Sequence, residues 1–514
     1  MLDYKKFEEP KMKANRNSNS NTLLAVSTSE LGLPCRSKFN IINFPLDTLI
    51  CIQGFVDPGD IISLRKTCKT IYAATHQRTV WLNALRNVCL TQGVFLPTFP
   101  VENMTQASLE HAALNPFRFS SYLQKEHPLT SPIKPFVTRV LQPHVPSTSP
   151  VAGLPHGTFE KVLLVPGGRF LFTLSSLGII HLWDLGVTPS TIIKPYPLAS
   201  MDGRGIDITS LHPTSDGLGI RLITLMTDEN SPTIGIEYAV YEVYPTVPSP
   251  IFEKIKVLHV ERCTVQAEGY AQDFIAFQTI NNIVTVWNFM LDSLVSWRVN
   301  HDSTSIMLYS GNIILIGGQG YTLWKIPPLK PCSPGTSFEL VADQTAVLLF
   351  MYPFHRSQAG VTLINYEWLP SSHSDGPAYF SLVGLDEESL SLACYIMKSI
   401  DNSHDEDLPN ITPMLLSKLR LPSNGDFEVF YGSLYFCDQN LVLPWVVNRR
   451  VMVNISQRPT KRGQKVSNKT VLLYTGSSMN HNQYDLCPVS GRLCVAADQE
   501  EVRVVDFIMP ISPP

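Results

Sequence analysis

The chain has 514 residues and a formal net charge of −4 at neutral pH, with 44% hydrophobic and 16% charged residues. This length exceeds that of an ordinary single domain, and the composition supports sizeable cores, so we expect a globular protein with more than one domain. The nearly balanced charge produces no overall field toward nucleic acid or an anionic membrane, so we expect neither as a partner.

Residues 1–38 are polar, carry an Asn/Ser run from Asn15 to Asn21 and have little periodicity. We expect a disordered tail there. The first ten residues contain no apolar signal core, and no run of about 18 apolar residues occurs, which predicts a protein that is neither secreted nor membrane-spanning. The ten cysteines are dispersed without a C-x-x-C pair. This pattern predicts free thiols and a location in the cytoplasm or nucleus.

Residues 39–90 predict three short helices. The apolar residues of the first, from Leu46 to Val56, form one stripe at a period of about 3.6 residues. Asp57 is a suitable N-cap for the second helix, because Pro58 follows at the first helical position. The third helix is expected from Arg78 to Cys89. These helices bury too little apolar surface to be stable alone, so we expect them to bind a partner.

The pattern of apolar residues, turn residues and aromatic residues from Phe44-Pro45 to Trp81 resembles that of an F-box. Gln53 and Thr67 depart from that family, which usually has an aromatic residue and a valine there. The resemblance implies docking on the Skp linker protein, and through it on a cullin-based ligase. The residues that it implies as the Skp contact are Phe44, Pro45, Leu46, Leu49, Ile52, Val56, Ile61, Leu64, Cys68 and Trp81. The alternative is an ordinary helical hairpin inside a larger core.

Residues 91–150 are interpreted as a helical and proline-rich linker. A helix is predicted near Ala107 to Leu114, and the prolines between Pro128 and Pro150 favour extended, semi-rigid backbone. Such a linker would hold two modules at a restricted separation.

Residues 151–514 predict an all-β domain, because short β runs alternate there with Gly, Pro, Asn, Asp and Ser. Phe159 to Gly186 predicts three strands and two tight turns and ends in Trp183-Asp184. It resembles the end of a WD repeat, which is one blade of a β-propeller.

Weaker matches to Trp183 follow at Tyr241, Trp287 and Trp324, in steps of 58, 46 and 37 residues, and again at Val505. These steps bracket the roughly 40 to 45 residues of a WD repeat. The predicted fold is therefore multidomain α+β, with a small all-α F-box followed by a β-propeller of about seven blades. Six or eight blades remain open, as does a β-sandwich or a pair of smaller β domains.

The sequence contains only incomplete forms of catalytic and metal-binding motifs. The glycines after Ile316 lack the helix of a dinucleotide site, and His259 and Glu261 lack the cysteines of a zinc deaminase. We therefore expect no cofactor and no metal site. Asp184 is interpreted as a blade residue that bonds turn backbone.

The stretch from Asn448 to Thr470 is basic and contains no acidic residue. It predicts a basic hairpin or loop, and its arginines suit an acidic or phosphorylated substrate peptide. The candidate substrate-binding residues are Arg449, Arg450, Arg458, Lys461 and Arg462. A nuclear localisation signal and a solvated loop are the alternatives.

With the resemblance to an F-box, these patterns imply a non-catalytic adaptor of an SCF-type ubiquitin ligase, with the F-box on the Skp linker protein and the propeller on a protein substrate, in phosphorylated form as one option. Two alternatives stay open. One is a scaffold outside any ligase, and the other is an enzyme with a site at the propeller centre, which would need polar side chains converging on the axis.

Overall fold

The structure is a computed structural model. It describes residues 44–142, 158–227, 235–261, 263–309, 311–317, 320–332, 338–339, 342, 344–353, 360–362, 368, 378–386, 389–399, 411–420, 430–431, 433–461, 464–476, 482–497 and 500–510. The predicted disordered tail at 1–38 lies outside these ranges.

Five α-helices occur in the described part of the chain: α1 (Leu46–Gln53), α2 (Pro58–Arg65), α3 (Lys69–Thr75), α4 (Arg78–Gln92) and α5 (Gln106–Gln124). The prediction of three helices up to residue 90 is wrong, because the second predicted helix is divided into α2 and α3. Cys68 is extended, with φ −158° and ψ 165°, and the Thr67 hydroxyl donates to the Leu64 carbonyl at 2.8 Å. The same carbonyl accepts the Thr67 backbone N–H at 3.0 Å, so Thr67 bonds to the last turn of α2 through both groups.

The strands are β1 (Val137–Leu141), β2 (Phe159–Leu164), β3 (Phe170–Ser175), β4 (Ile179–Asp184), β5 (Ala199–Asp202), β6 (Ile206–Pro213), β7 (Ile220–Thr227), β8 (Ile236–Val243), β9 (Glu253–Glu261), β10 (Val265–Ala271), β11 (Phe274–Thr279), β12 (Ile283–Asn288), β13 (Ser293–Arg298), β14 (Ser305–Tyr309), β15 (Asn312–Gly317) and β16 (Gly320–Lys325). They continue with β17 (Lys330–Pro331), β18 (Phe338–Glu339), β19 (Val347–Pro353), β20 (Gly360–Thr362), β21 (Ala378–Asp386), β22 (Ser389–Ser399), β23 (Ile411–Arg420), β24 (Phe430–Tyr431), β25 (Tyr435–Cys437), β26 (Asn440–Val447), β27 (Arg450–Gln457), β28 (Asn468–Thr475), β29 (Tyr484–Cys487), β30 (Arg492–Ala497) and β31 (Glu501–Asp506).

Within the described ranges these strands form seven sheets. Along the chain they are β2–β5, β6–β9 with β18, β10–β13 with β17, β14–β16 with β19, β20–β23, β24–β28, and β29–β31 with β1. Neighbouring strands are antiparallel except β18, which is parallel to β9. The predicted mostly-β region is thus confirmed, and each sheet is built largely from consecutive strands.

The predicted hairpins between Phe159 and Gly186 are confirmed as β2, β3 and β4. Gly167 and Gly168 form the first turn with φ of 108° and 76°. A Cβ on Gly167 would lie 2.6 Å from the Thr98 hydroxyl. Only glycine therefore fits at this position, because a side chain would clash with Thr98 and would also disfavour the positive φ.

The WD-like positions also occupy equivalent places. Trp183, Tyr241, Trp287, Trp324 and Val505 lie on β4, β8, β12, β16 and β31, each the third strand of its sheet. Trp183 and Trp287 are buried, and the Trp183 indole donates to the Thr173 hydroxyl at 2.9 Å. The spacing pattern therefore identified one repeated strand in five sheets.

The last sheet is completed by the first strand of the chain, because β1 pairs with β31 from Val137 opposite Asp506 to Leu141 opposite Val502. Asp506 joins this pair to the rest of the sheet. It accepts hydrogen bonds from Arg139 on β1 at 2.8 Å and from Arg492 on β30 at 2.6 Å. The Asp506 and Arg492 side chains are only 4% and 2% exposed.

Residues 46–514 form one compact unit, in which the helices and sheets share a hydrophobic core. Trp81 and Leu85 of α4 belong to the same buried cluster as Leu171 and Trp183 of the first blade-like sheet. Phe119 of α5 belongs to a second cluster with β27, β28 and β30. Helix α5 thus packs in the same core as the sheets, and β1 precedes residue 151. The linker predicted for residues 91–150 stays a prediction. The predicted domain boundaries stay predictions.

We expect Asp506→Asn to destabilise the protein by about 3 kcal/mol, because it removes one charge of a buried network and leaves Arg139 and Arg492 without their counter-ion. The measurement is the midpoint of thermal unfolding. Asp202→Asn is the control, since Asp202 pairs with Arg204 at the exposed surface and its loss is expected to leave the midpoint unchanged. Equal effects of the two substitutions would contradict a special role for the closing pair.

Candidate protein-binding surfaces

The residues that the F-box resemblance implies as a contact surface divide into two groups. Leu49, Ile61 and Trp81 are buried in the helical core, at 3%, 0% and 0% exposure. The others reach the surface to different degrees: Pro45 and Leu46 are exposed, and Phe44, Ile52, Val56, Leu64 and Cys68 are half-buried. The first group supports the helices, and the second group is available for contact.

An ion pair joins the short helices to α5. Arg65 at the end of α2 makes two hydrogen bonds to the Glu110 carboxylate, at 2.9 and 2.8 Å. The same guanidinium lies 5.3 Å from the centre of the Trp81 ring, whose indole donates to the Thr75 carbonyl at 2.8 Å. A bidentate pair of this kind has a defined geometry, so it orients α2 on α5.

Three large apolar side chains are exposed on α1, α3 and the turn after α1, which together we call the helical layer. Phe55, in the turn after α1, is 89% exposed, Tyr72 on α3 is 53% exposed and Leu46 on α1 is 45% exposed. The helices α1 and α3 pack against each other. Exposed apolar groups of this size on one small layer are typical of a protein-binding surface.

Phe55 and Tyr72 were not among the predicted contact residues. Phe55 falls outside the helical stripe of α1, and Tyr72 follows a buried isoleucine. An aromatic residue that is out of phase with a buried stripe is the sequence signal that could have identified them.

The predicted basic stretch forms a hairpin, but its candidate residues are not brought together. Arg449 and Arg450 lie at the turn between β26 and β27, while Arg458 and Lys461 lie beyond the other end of β27. At about 3.3 Å per residue, the eight residues of β27 separate the two pairs by about 25 Å. Arg462 lies outside the described residues. The Arg458 guanidinium stacks 4.6 Å from the centre of the Phe436 ring.

Polar side chains on the first strands of three sheets also lie close together, although no sequence motif predicted this contact. Lys161 on β2 donates to Asp207 on β6 at 2.9 Å, and both charges act on Glu268 of β10. The Tyr270 hydroxyl donates to Glu268. Burial raises the pKa of Glu268 to about 7, and the Asp207 charge adds to this rise while the Lys161 charge opposes it. Lys161, Asp207 and Glu268 are 46 or more positions apart in the chain, so no local motif identifies them.

A second buried carboxyl lies on β29. Asp485 accepts hydrogen bonds from the Leu164 backbone N–H at 2.7 Å and from the Tyr435 hydroxyl at 2.8 Å. Burial raises the pKa of Asp485 to about 6. These bonds join neighbouring sheets through their first strands, which is a structural use of the carboxyl group.

Asp184 behaves as predicted, since its carboxylate accepts from the Gly186 N–H at 2.9 Å and pairs with Arg169. Over the ranges the structure describes, no three His, Cys, Asp or Glu side chains are grouped as metal ligands would be. The nine cysteines in those ranges are unbridged, and burial raises the pKa of Cys89 to about 12. None of the helices described is both long and apolar enough to cross a membrane.

No protein-family model and no curated protein matches the chain. Solved β-propellers with WD40 repeats resemble its structure. The structure of U3-55K is 13% identical, with a TM-score of 0.40, and the match covers 72% of this chain and 98% of the other. The Cps50 (Swd1) β-propeller domain of Myceliophteria thermophila is 12% identical, with a TM-score of 0.40 and coverage of 69% and 98%. The C-terminal WD40 domain of Sif2 is 10% identical, with a TM-score of 0.36 and coverage of 69% and 98%.

We expect Glu268→Gln to stabilise the protein at pH 8 by on the order of 2 kcal/mol and to have little effect near pH 4.5. The pKa of Glu268 is raised by folding, so ionisation costs stability as the pH rises from the ordinary glutamate range through about 7. Glutamine carries no charge and escapes this cost. The measurement is the midpoint of thermal unfolding against pH, with Glu253→Gln at an exposed position of β9 as the control. A difference that does not grow with pH would contradict the assignment.

Proposed function

We propose that this protein is a substrate-recognition adaptor of an SCF-type ubiquitin ligase. Its short N-terminal helices bind the Skp linker protein, a cullin joins through that linker, and the β region binds a protein substrate. The chain itself catalyses no reaction. The single observation that carries the proposal is the set of exposed apolar side chains on the helical layer that resembles an F-box, led by Phe55 at 89% exposure.

The support comes from where the apolar surface lies. Most apolar residues of α4 and α5 are buried in the core shared with the sheets. The helices therefore have a stable base, and an exposed phenylalanine on that base gains most from contact with another protein. Burying a phenylalanine side chain contributes about 1.5 to 3 kcal/mol, enough for it to act as a central anchor.

We further propose that the seven sheets are the blades of a seven-bladed propeller. Two features support this arrangement. The sheets follow one another along the chain, and the first strand completes the last sheet, as the closure of a ring of blades requires. Such a ring presents its loops on two faces for substrate binding.

The proposed Skp contact uses the exposed and half-buried members of the implied set, together with Phe55 and Tyr72. The proposed substrate contacts are Arg458 and Lys461 at one end of β27, with Arg449 and Arg450 as a separate pair at the other. The free thiols of the described cysteines agree with a reducing compartment, and we propose the cytoplasm or the nucleus.

A second candidate function is a scaffold outside any ligase, in which the helices serve only as a cap on the sheets. The shared core favours this candidate, because Trp81 and Leu85 have a structural use without any partner. The two functions differ in whether the exposed layer binds Skp and recruits a cullin.

We expect the full chain to bind the purified Skp linker protein with micromolar or tighter affinity, and Phe55→Asp to weaken binding at least tenfold. A carboxylate at the anchor position would have to be desolvated in the complex. The measurement is isothermal titration calorimetry. Ile192→Asp is the matched control, because Ile192 is 88% exposed on the loop after β4 and its replacement should leave the affinity unchanged.

Circular dichroism should show that both variants are folded. Absence of binding by the folded wild type would overturn the adaptor proposal. Binding of Skp without capture of a cullin by the resulting complex would leave the scaffold function.

A further inference from the structure

Three separate segments contact β28 or continue into it and form what we call the β28 basic surface, defined by Lys125, Lys134, Arg420, Lys461 and Lys465. Two hydrogen bonds place the first segment there. The Ile133 backbone N–H donates to the Leu472 carbonyl of β28 at 2.9 Å, and the Tyr122 hydroxyl of α5 donates to the Lys134 carbonyl at 2.7 Å. Lys125 follows directly after α5, so Lys125 and Lys134 both border β28.

The other two segments reach the same place. Asn468, the first residue of β28, donates from its side chain to the Arg420 carbonyl at the end of β23, at 3.1 Å. Lys461 and Lys465 lie in the loop from β27 to β28, whose ends are joined by the Gln457 N–H donating to the Ser467 carbonyl. The sequence pattern indicated only this loop, because the other cations are 41 to 340 residues away in the chain.

All five side chains of the surface are exposed. The segments that supply them contain very little negative charge: residues 411–420 and 458–476 have no acidic residue, and residues 117–136 have only Glu126. A locally positive surface thus exists on a chain whose net charge is −4, so its attraction is confined to this place.

Two neighbouring cations, Lys469 and Arg458, make contacts that stabilise the segments of the surface. The Lys469 ammonium donates to the Gln124 carbonyl at 3.0 Å and also to the Lys125 carbonyl, at the carboxyl end of α5. A cation is favoured there because the helix dipole is negative at that end. Arg458 stacks on Phe436. The five exposed cations are therefore carried on a fixed base.

We propose that the β28 basic surface binds an acidic protein segment rich in Asp and Glu. Four of its five cations are lysines, whose ammonium groups are point charges without the fork that matches a phosphate in two hydrogen bonds. This chemistry selects a dense run of negative charge and does not require phosphorylation. The inference deepens the substrate role in the proposed function, and it does not depend on Skp binding.

The test measures fluorescence anisotropy of a fluorescein-labelled peptide of ten alternating Asp and Glu residues with the full chain. We expect binding that weakens steeply as the salt concentration rises. The double variant Lys461→Glu, Lys465→Glu should bind about tenfold more weakly, since two attractive contacts become repulsive. The matched control is Lys194→Glu, Lys325→Glu, which changes the net charge equally at exposed positions on the loop after β4 and on β16 and should keep the wild-type affinity.

Equal losses in both double variants would overturn the proposal, because total charge and not this surface would then determine binding. A phosphopeptide of equal net charge that binds tenfold more tightly would also overturn it, in favour of phosphate recognition. Tighter binding of a single-stranded RNA decamer, lost in the Lys461/Lys465 variant, would assign the surface to nucleic acid. Skp titrations of both variants separate this result from the adaptor proposal, since neither substitution lies on the helical layer.

Discussion

The constraint on which the rest of the structure depends is the pairing of β1 with β31, which joins the first strand of the described chain to its last. Asp506 is central to it, because Arg139 and Arg492 both donate to this one buried carboxylate. The two guanidiniums also reach the neighbouring sheet: Arg139 donates to the Leu185 carbonyl at 2.7 Å, and Arg492 donates to the Gly186 carbonyl at 2.9 Å. The arginines that join β1 to the last sheet therefore also hold the backbone at the end of β4, in the first sheet.

A related arrangement occurs between the second and third sheets. Arg221 on β7 donates to Glu242 of β8 at 2.8 Å, pairs with Asp273 ahead of β11, and lies over the Phe289 ring. Buried cations of this kind need a counter-ion, so each one restricts how adjacent sheets can pack. Neighbouring sheets are thus joined by specific polar contacts in addition to their apolar cores.

The helical layer is part of this assembly and not a separate module. Because α4 and α5 are buried against the sheets, the exposed apolar side chains on α1 and α3 and the basic surface beside β28 belong to one compact unit. Two surfaces on one compact unit keep a set separation, because a shared close-packed core resists deformation.

The sequence by itself determined the features that depend on local pattern. Apolar periodicity and Pro58 predicted the start of α2, the paired glycines predicted the turn between β2 and β3, and the recurring aromatic positions identified the third strand of several sheets. Only the tertiary structure decided which members of the F-box-like set are buried, since exposure depends on α5 packing over Trp81 and Arg65. It also separated Arg449 from Arg458 and brought Lys125, Lys134 and Arg420 to β28. Contacts between residues far apart in the chain leave no periodic signal, because they are selected by packing and charge in the folded state.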